Sequence, residues 1–155
     1  MVKAGDSIPN ISLTEKDPGD KVDLQKELAS GKGLIIGVPA AFSPGCSDTH
    51  IPEYINHAKL KDAGKVFVVS VNDAFVTKAW GKSLDADKKS GIRFLSDATG
   101  DFVRALDVEF DATPVLGSKR SKRFAAVTQD GKIVSIHVEP DNLGINASAA
   151  SKVLG

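Results

Sequence analysis

A mixed α/β sheet covered on both faces by helices is the fold class that this sequence predicts. Short apolar runs of the kind that form doubly buried strands alternate with segments of helical period, and a hairpin signal follows them late in the chain. The first strand is Gly33-Leu34-Ile35-Ile36-Gly37-Val38, stopped by Pro39. A helix is expected from Cys46 to about Leu60, with Ile51, Tyr54, Ile55 and Ala58 along one side. Val66-Phe67-Val68-Val69-Ser70-Val71 reads as the second strand. Asn72 or Asp73 can cap the helix after it, whose apolar stripe is Phe75, Val76, Ala79 and Trp80. Ile92-Arg93-Phe94-Leu95 is a third strand, and Gly100-Asp101 opens a helix carrying Phe102, Val103 and Leu106. After Pro114, two strand-like runs, Arg123 to Thr128 and Lys132 to Val138, flank Gln129-Asp130-Gly131. Asp-Gly between such runs is a strong hairpin signal. A last helix is expected from Asn146 or Ser148 to Leu154.

A thioredoxin-like arrangement fits this order of elements. The 155 residues read as one domain over 1–155, long enough to bury a core without covalent staples. Twenty basic residues balance twenty acidic ones, which argues against a nucleic-acid partner and against a polybasic membrane anchor. No apolar run approaches the roughly 20 residues of a membrane span. The start, Met1-Val2-Lys3-Ala4-Gly5-Asp6, has neither an apolar signal core nor an Arg/Ser-rich transit pattern. The expected compartment is therefore the cytoplasm, or the mitochondrion if a transit peptide has been removed. The ending Ser151-Lys152-Val153-Leu154-Gly155 is not the Ser-Lys-Leu peroxisomal address.

One cysteine, Cys46, excludes an internal disulfide, a multi-cysteine zinc site and a CxxC motif. It lies in Gly37-Val38-Pro39-Ala40-Ala41-Phe42-Ser43-Pro44-Gly45-Cys46-Ser47-Asp48-Thr49-His50-Ile51-Pro52, between a buried strand and an expected helix. Such loops stand at the carboxyl ends of strands, where open α/β sheets bind ligands. The first turn of a helix offers unpaired N–H groups and the positive end of its dipole, both of which favour a thiolate. The plainer reading is a small buried hydrophobe, the usual fate of a free cysteine. Pro44, Gly45 and Ser47 are poor company for a core position, so a functional cysteine is the better reading. His50, four residues on, shares the cysteine's helix face. A Cys-x-x-x-His metal pair would lack a third ligand, so no metal and no cofactor are expected.

Pro39-x-x-x-Ser43-x-x-Cys46 resembles the peroxiredoxin active-site motif, Pro-x-x-x-(Thr/Ser)-x-x-Cys. The wider loop with Thr49-His50-x-Pro52, then Val69 to Thr77, Ser121-Lys122-Arg123-Phe124 and Val138-Glu139-Pro140-Asp141, resembles the peroxiredoxin-5, or type II, subfamily in order and spacing. The resemblance implies a thiol peroxidase for hydrogen peroxide and small alkyl hydroperoxides. Cys46 would attack peroxide and become a sulfenic acid. Ser43 would supply a hydroxyl to the peroxide, and Arg123 a planar fork that donates to sulfur and oxygen together. Pro39 would shield the thiolate from water. Gly45, His50 and Phe42 would border the substrate, with Phe42 lining a pocket or packing at a homodimer contact. Ala147 falls where that subfamily places its resolving cysteine, as in a natural one-cysteine enzyme or an engineered one. An external thiol, from glutathione, glutaredoxin or thioredoxin, would then reduce the sulfenic acid. A redox sensor signalling through Cys46 and a binding module with an inert cysteine are the competing readings. Lys119-Arg120-Ser121-Lys122-Arg123 reads as a solvated loop edge ending in an inward Arg123, and Trp80 with Phe75 as core.

Overall fold

The computed structural model describes residues 2–155. Its main sheet has seven strands, and a two-stranded ribbon lies apart from it. In chain order the strands are β1 (Ser12–Thr14), β2 (Lys21–Asp23), β3 (Lys32–Val38), β4 (Lys65–Ser70), β5 (Arg93–Ser96), β6 (Glu109–Asp111), β7 (Lys119–Ser121), β8 (Phe124–Gln129) and β9 (Lys132–Val138). The main sheet runs β2-β1-β5-β4-β3-β8-β9, and β6 pairs with β7. The β3–β4 and β4–β5 pairs are parallel; β8, β9, β1 and β2 are joined antiparallel. This is the mixed sheet that the alternation of elements predicts.

The period of two along the central strands sorts the core into two layers. Ile35, Phe67 and Val69 join Leu95, Phe102, Leu106 and Phe124 on one face. Leu34, Ile36, Val38, Val66 and Val68 face the other way, toward Ile51, Tyr54, Trp80 and Phe94, and Cys46 belongs to this second layer. Trp80 meets Phe94 edge to face at 5.6 Å.

Six short helices complete the chain: α1 (Leu24–Glu27), α2 (Ile51–Ile55), α3 (Ala74–Leu84), α4 (Asp101–Ala105), α5 (Thr113–Leu116) and α6 (Ala150–Val153). Three expectations need correction. The helix expected from Cys46 to Leu60 is a π-helical turn, Gly45–His50, followed by α2, and Ala58 lies beyond it, exposed. The buried residues of α3 are Ala74, Thr77, Trp80 and Gly81; Phe75 is 63 % exposed and Ala79 also faces solvent. Asp73, one of the two expected caps, caps α3 by accepting from the Val76 N–H. The basic run at 119–123 contains β7 rather than a loop, and the half-buried Arg120 donates to the carbonyls of Val71 and Leu116.

Two details place the chain around the site. Gly37 pairs with Phe124 across β3 and β8, and a Cβ on Gly37 would fall 1.9 Å from the Phe124 ring. Only glycine admits that ring, and with it the start of β8 that follows Arg123. At the β8–β9 hairpin, Asp130 and Gly131 both take positive φ, as a type I′ turn requires. Along the free side of β9, Gly5 N–H donates to Ile133 O, Ile133 N–H donates to Asp6 O, and Ile8 N–H donates to Gly131 O.

Candidate active site

Cys46 sits in the second residue of the π-helical turn, just past the carboxyl end of β3, and is fully buried. In this turn the Ile51 N–H reaches back five residues to the Cys46 carbonyl. The turn begins without a side-chain cap at Pro44. The loop before it is fastened twice: Ala41 N–H donates to Asn72 Oδ1 at 3.0 Å, and Ser47 N–H donates to the Ser43 carbonyl at 2.9 Å. Phe42 takes a positive φ of 65° in that loop, a costly conformation for an aromatic residue.

Arg123 directly precedes β8, 77 residues from Cys46 in sequence, and its Nη1 donates to Cys46 Sγ at 3.2 Å. The guanidinium is itself buried, with 3 % of the residue exposed. Arg123 Nε donates to the Leu143 carbonyl at 3.2 Å, and Nη1 also reaches His50 Nδ1 at 3.2 Å. Gly45 leaves room for this packing: a Cβ there would stand 3.1 Å from Arg123 Nη2.

His50 is buried between two partners of opposite kind. Its Nε2 meets the Ser148 carbonyl at 3.1 Å, and its Nδ1 meets the Arg123 donor. A carbonyl only accepts and a guanidinium only donates, so the ring carries its hydrogen on Nε2 and a lone pair on Nδ1. Burial first, and the Arg123 charge second, lower the His50 pKa to about 4, so the ring is neutral at pH 7. Tyr54 packs edge to face on His50 and donates to the same Ser148 carbonyl at 2.5 Å.

The sequence expectations divide at this point. Cys46, Arg123 and His50 come together in one buried cluster, with the half-buried Gly45 packed against Arg123. Pro39 is buried at the end of β3. Ser43 is half-buried, and its hydroxyl donates to the Ala40 carbonyl at 2.9 Å within its own loop. Phe42 is 53 % exposed and stands outside the cluster, so it does not line a closed pocket within the chain. Sequence reasoning missed Glu139 and Ser148, which hold the far side of His50, and Trp80, whose Nε1 donates to Ser47 Oγ at 2.9 Å beside the cysteine. Among the described residues no group of three His, Cys, Asp or Glu is arranged to hold a metal ion, and no helix is long and apolar enough to cross a membrane.

A lone cysteine at a strand-to-helix turn, met by a buried arginine on a thioredoxin-like sheet, marks a class of thiol-redox proteins. The family model described as Redoxin matches residues 3–154, so the chain belongs to the redoxin family. It is 43 % identical to peroxisomal membrane associated protein 20 of Schizosaccharomyces pombe, over 99 % of this chain and 98 % of that protein. It is 38 % identical to peroxiredoxin-2C of Oryza sativa subsp. japonica, over 89 % and 88 % of the two chains. The crystal structure of reduced Prx3 in complex with H2O2 from Vibrio vulnificus matches with a TM-score of 0.89 at 34 % identity, covering 99 % of this chain and 98 % of that one. Peroxiredoxin 5 from Alvinella pompejana matches with a TM-score of 0.82 at 38 % identity, covering 92 % and 93 %. Within the redoxin family this chain is a peroxiredoxin, of the peroxiredoxin-5 kind but with a single cysteine, and so a thiol peroxidase.

Proposed function

We propose that this peroxiredoxin reduces hydrogen peroxide and small alkyl hydroperoxides at Cys46 by a one-cysteine mechanism, in antioxidant defence. The observation that carries the reading is the Arg123 Nη1 contact with Sγ at 3.2 Å, made to the only sulfur nucleophile in the chain. A guanidinium hydrogen at sulfur is placed to be donated to the thiolate that attacks peroxide. The thiolate bonds to one peroxide oxygen and the O–O bond breaks. The other oxygen leaves with the bonding pair and takes up a proton as water or alcohol, while sulfur is oxidised to the sulfenic acid. Negative charge passes from sulfur to the leaving oxygen, so a fork that can touch both atoms lowers the barrier more than it stabilises bound peroxide. Arg123 Nη2, beside Gly45, is the arm available to the oxygen. The Ser43 proton is already given to Ala40, which leaves that hydroxyl's lone pairs to accept from the peroxide O–H. Pro39 shields the thiolate from water, and Gly45 and His50 border the substrate.

Ala147 stands where a second thiol would be needed, so the oxidised sulfur is resolved from outside. One thiol displaces water and forms a mixed disulfide; a second releases Cys46 as thiol and leaves as a disulfide with the first. Glutathione with glutaredoxin, or thioredoxin, fits this need. Complete burial of Cys46 suits a small oxidant and requires the Gly45–His50 turn to open before a thiol attacks. The exposed Phe42 beside the site supports a homodimer contact there. The cytoplasm is the compartment we favour, and subcellular fractionation tests it.

The deciding experiment measures peroxide consumption with the glutathione/glutaredoxin and thioredoxin systems in parallel, using wild type and Cys46→Ser. Wild type turns over with at least one system; the serine variant consumes no peroxide above background and keeps its circular dichroism spectrum. Undiminished turnover in the serine variant would end the reading.

A further inference from the structure

Glu139 is 1 % exposed and plays no part in the chemistry above. Four donors from one short segment meet its carboxylate: Asn146 N–H at 2.8 Å, Ser148 N–H at 2.8 Å and Ser148 Oγ at 2.6 Å on Oε2, and Ala147 N–H at 3.1 Å on Oε1. A buried carboxylate is tolerated when its lone pairs are filled in this way. Burial alone would push this carboxyl up; the bonds from Ser148, Asn146 and Ala147 outweigh it and hold the group below the usual carboxylate range.

Ser148 thus donates to Glu139 through its N–H and hydroxyl while its carbonyl serves His50 and Tyr54. Together with the Arg123 donor, the carbonyl's place determines which ring nitrogen of His50 keeps the hydrogen. With Nε2–H, Nδ1 accepts one Arg123 Nη1 hydrogen and the other is aimed at Sγ. With the opposite tautomer, an N–H would face the guanidinium and drive it off.

We infer that Glu139 is a positioning residue for the peroxidase reaction: by clamping Ser148 it fixes the His50 tautomer that aims Arg123 at Cys46. The inference rests on the reading of Cys46 and Arg123 as the reacting pair. It assigns Glu139 a duty beyond holding a loop, because a loop anchor would leave the tautomer of His50 untouched.

The test uses Glu139→Gln, which keeps the size of the side chain but sets an NH2 against N–H donors. The single tryptophan, bonded to Ser47 next to Cys46, provides a fluorescence signal for single-turnover oxidation by hydrogen peroxide in a stopped-flow instrument. Nitrogen-15 shifts of the His50 ring report the tautomer. Wild type shows Nε2–H. Glu139→Gln shows a tautomer mixture and reacts about tenfold more slowly, the scale of one lost charge-assisted hydrogen bond. Ser148→Ala, which removes one of the four donors, shows a smaller shift and a loss of about threefold, and serves alone if Glu139→Gln does not fold. Wild-type rates in the folded variants overturn the inference. So does a slower rate with His50 still wholly Nε2–H, which would make Glu139 a loop anchor only. A wild type inert to peroxide instead brings down the peroxidase reading of Cys46, while the tautomer shifts still decide whether Glu139 governs His50.

Discussion

Two helical segments leave neighbouring parallel strands of this sheet, and they begin in opposite ways. After β4, Asp73 accepts from the Val76 N–H at 2.9 Å and an eleven-residue α-helix follows. After β3, six residues of loop lead to a turn that lacks a side-chain cap and is wound wide, and Cys46 lies within it. A cap satisfies the first free N–H groups and steadies a helix start. Beside Cys46 no side chain takes that role, and steadiness comes instead from distant groups: Arg123 on the sulfur, Asn72 on the loop, Trp80 on Ser47. The helix after β4 is secured locally, and the turn after β3 by long-range contacts around a reactive atom.

Arg123→Ala should break the contrast most severely. It removes the contact on sulfur and is expected to slow peroxide attack by roughly 10²–10³-fold, as losing a preorganised donor does. Arg123→Lys keeps the charge but not the fork and should recover little of the rate. Stopped-flow oxidation of Cys46 checks both, and a rate equal to wild type in Arg123→Ala would remove the arginine from the mechanism.

A smaller effect comes from His50. Its folded pKa of about 4 lies below the ordinary 6.5, chiefly through burial and then through Arg123. Between those values the unfolded chain binds the proton and the folded one does not, so stability falls as pH drops from about 6.5 to about 4. The full loss from this group is roughly 3 kcal/mol. Asp97, raised by its own burial, acts in the opposite direction, so the comparison must be made against His50→Gln, in which this part of the slope disappears. Urea denaturation across that pH range gives the measurement.

The smallest effect sharpens the contrast from the other side. Asp73→Ala should cost about 1 kcal/mol of stability, the usual value of a lost cap, and leave the peroxide rate unchanged. A melting curve and the same stopped-flow assay separate the two. A slower rate in this variant would mean that the two segments are coupled.

Legibility in the sequence followed the range of each interaction. Strands β3, β4, β8 and β9 could be read because burial of alternate or all residues leaves a periodic trace, and the hairpin because Asp130-Gly131 needs two positive φ angles. Strands β1 and β2, three residues each, are too short for any period. On α3 the small residues Ala74, Thr77 and Gly81 turn inward with Trp80 and leave the more apolar Phe75 outside, so apolarity alone misplaces the inward face. Cys46, Ser43 and Arg123 stood out through a motif; the wide turn around Cys46, a single rare turn, left no periodic trace. Glu139 stood in a matched block, but its contacts could not be read, because three of its four donors are backbone N–H groups, which every residue but proline carries.

The contacts that residues 5–8 make along β9 have a consequence away from the chemistry. That strand closes one end of the sheet, and an uncovered strand end is a template for stacking against another molecule. Residues 5–7 work as a seam binding, and a chain trimmed through Ser7, which keeps the buried Ile8, would be expected to clump on storage even while each molecule kept its shape.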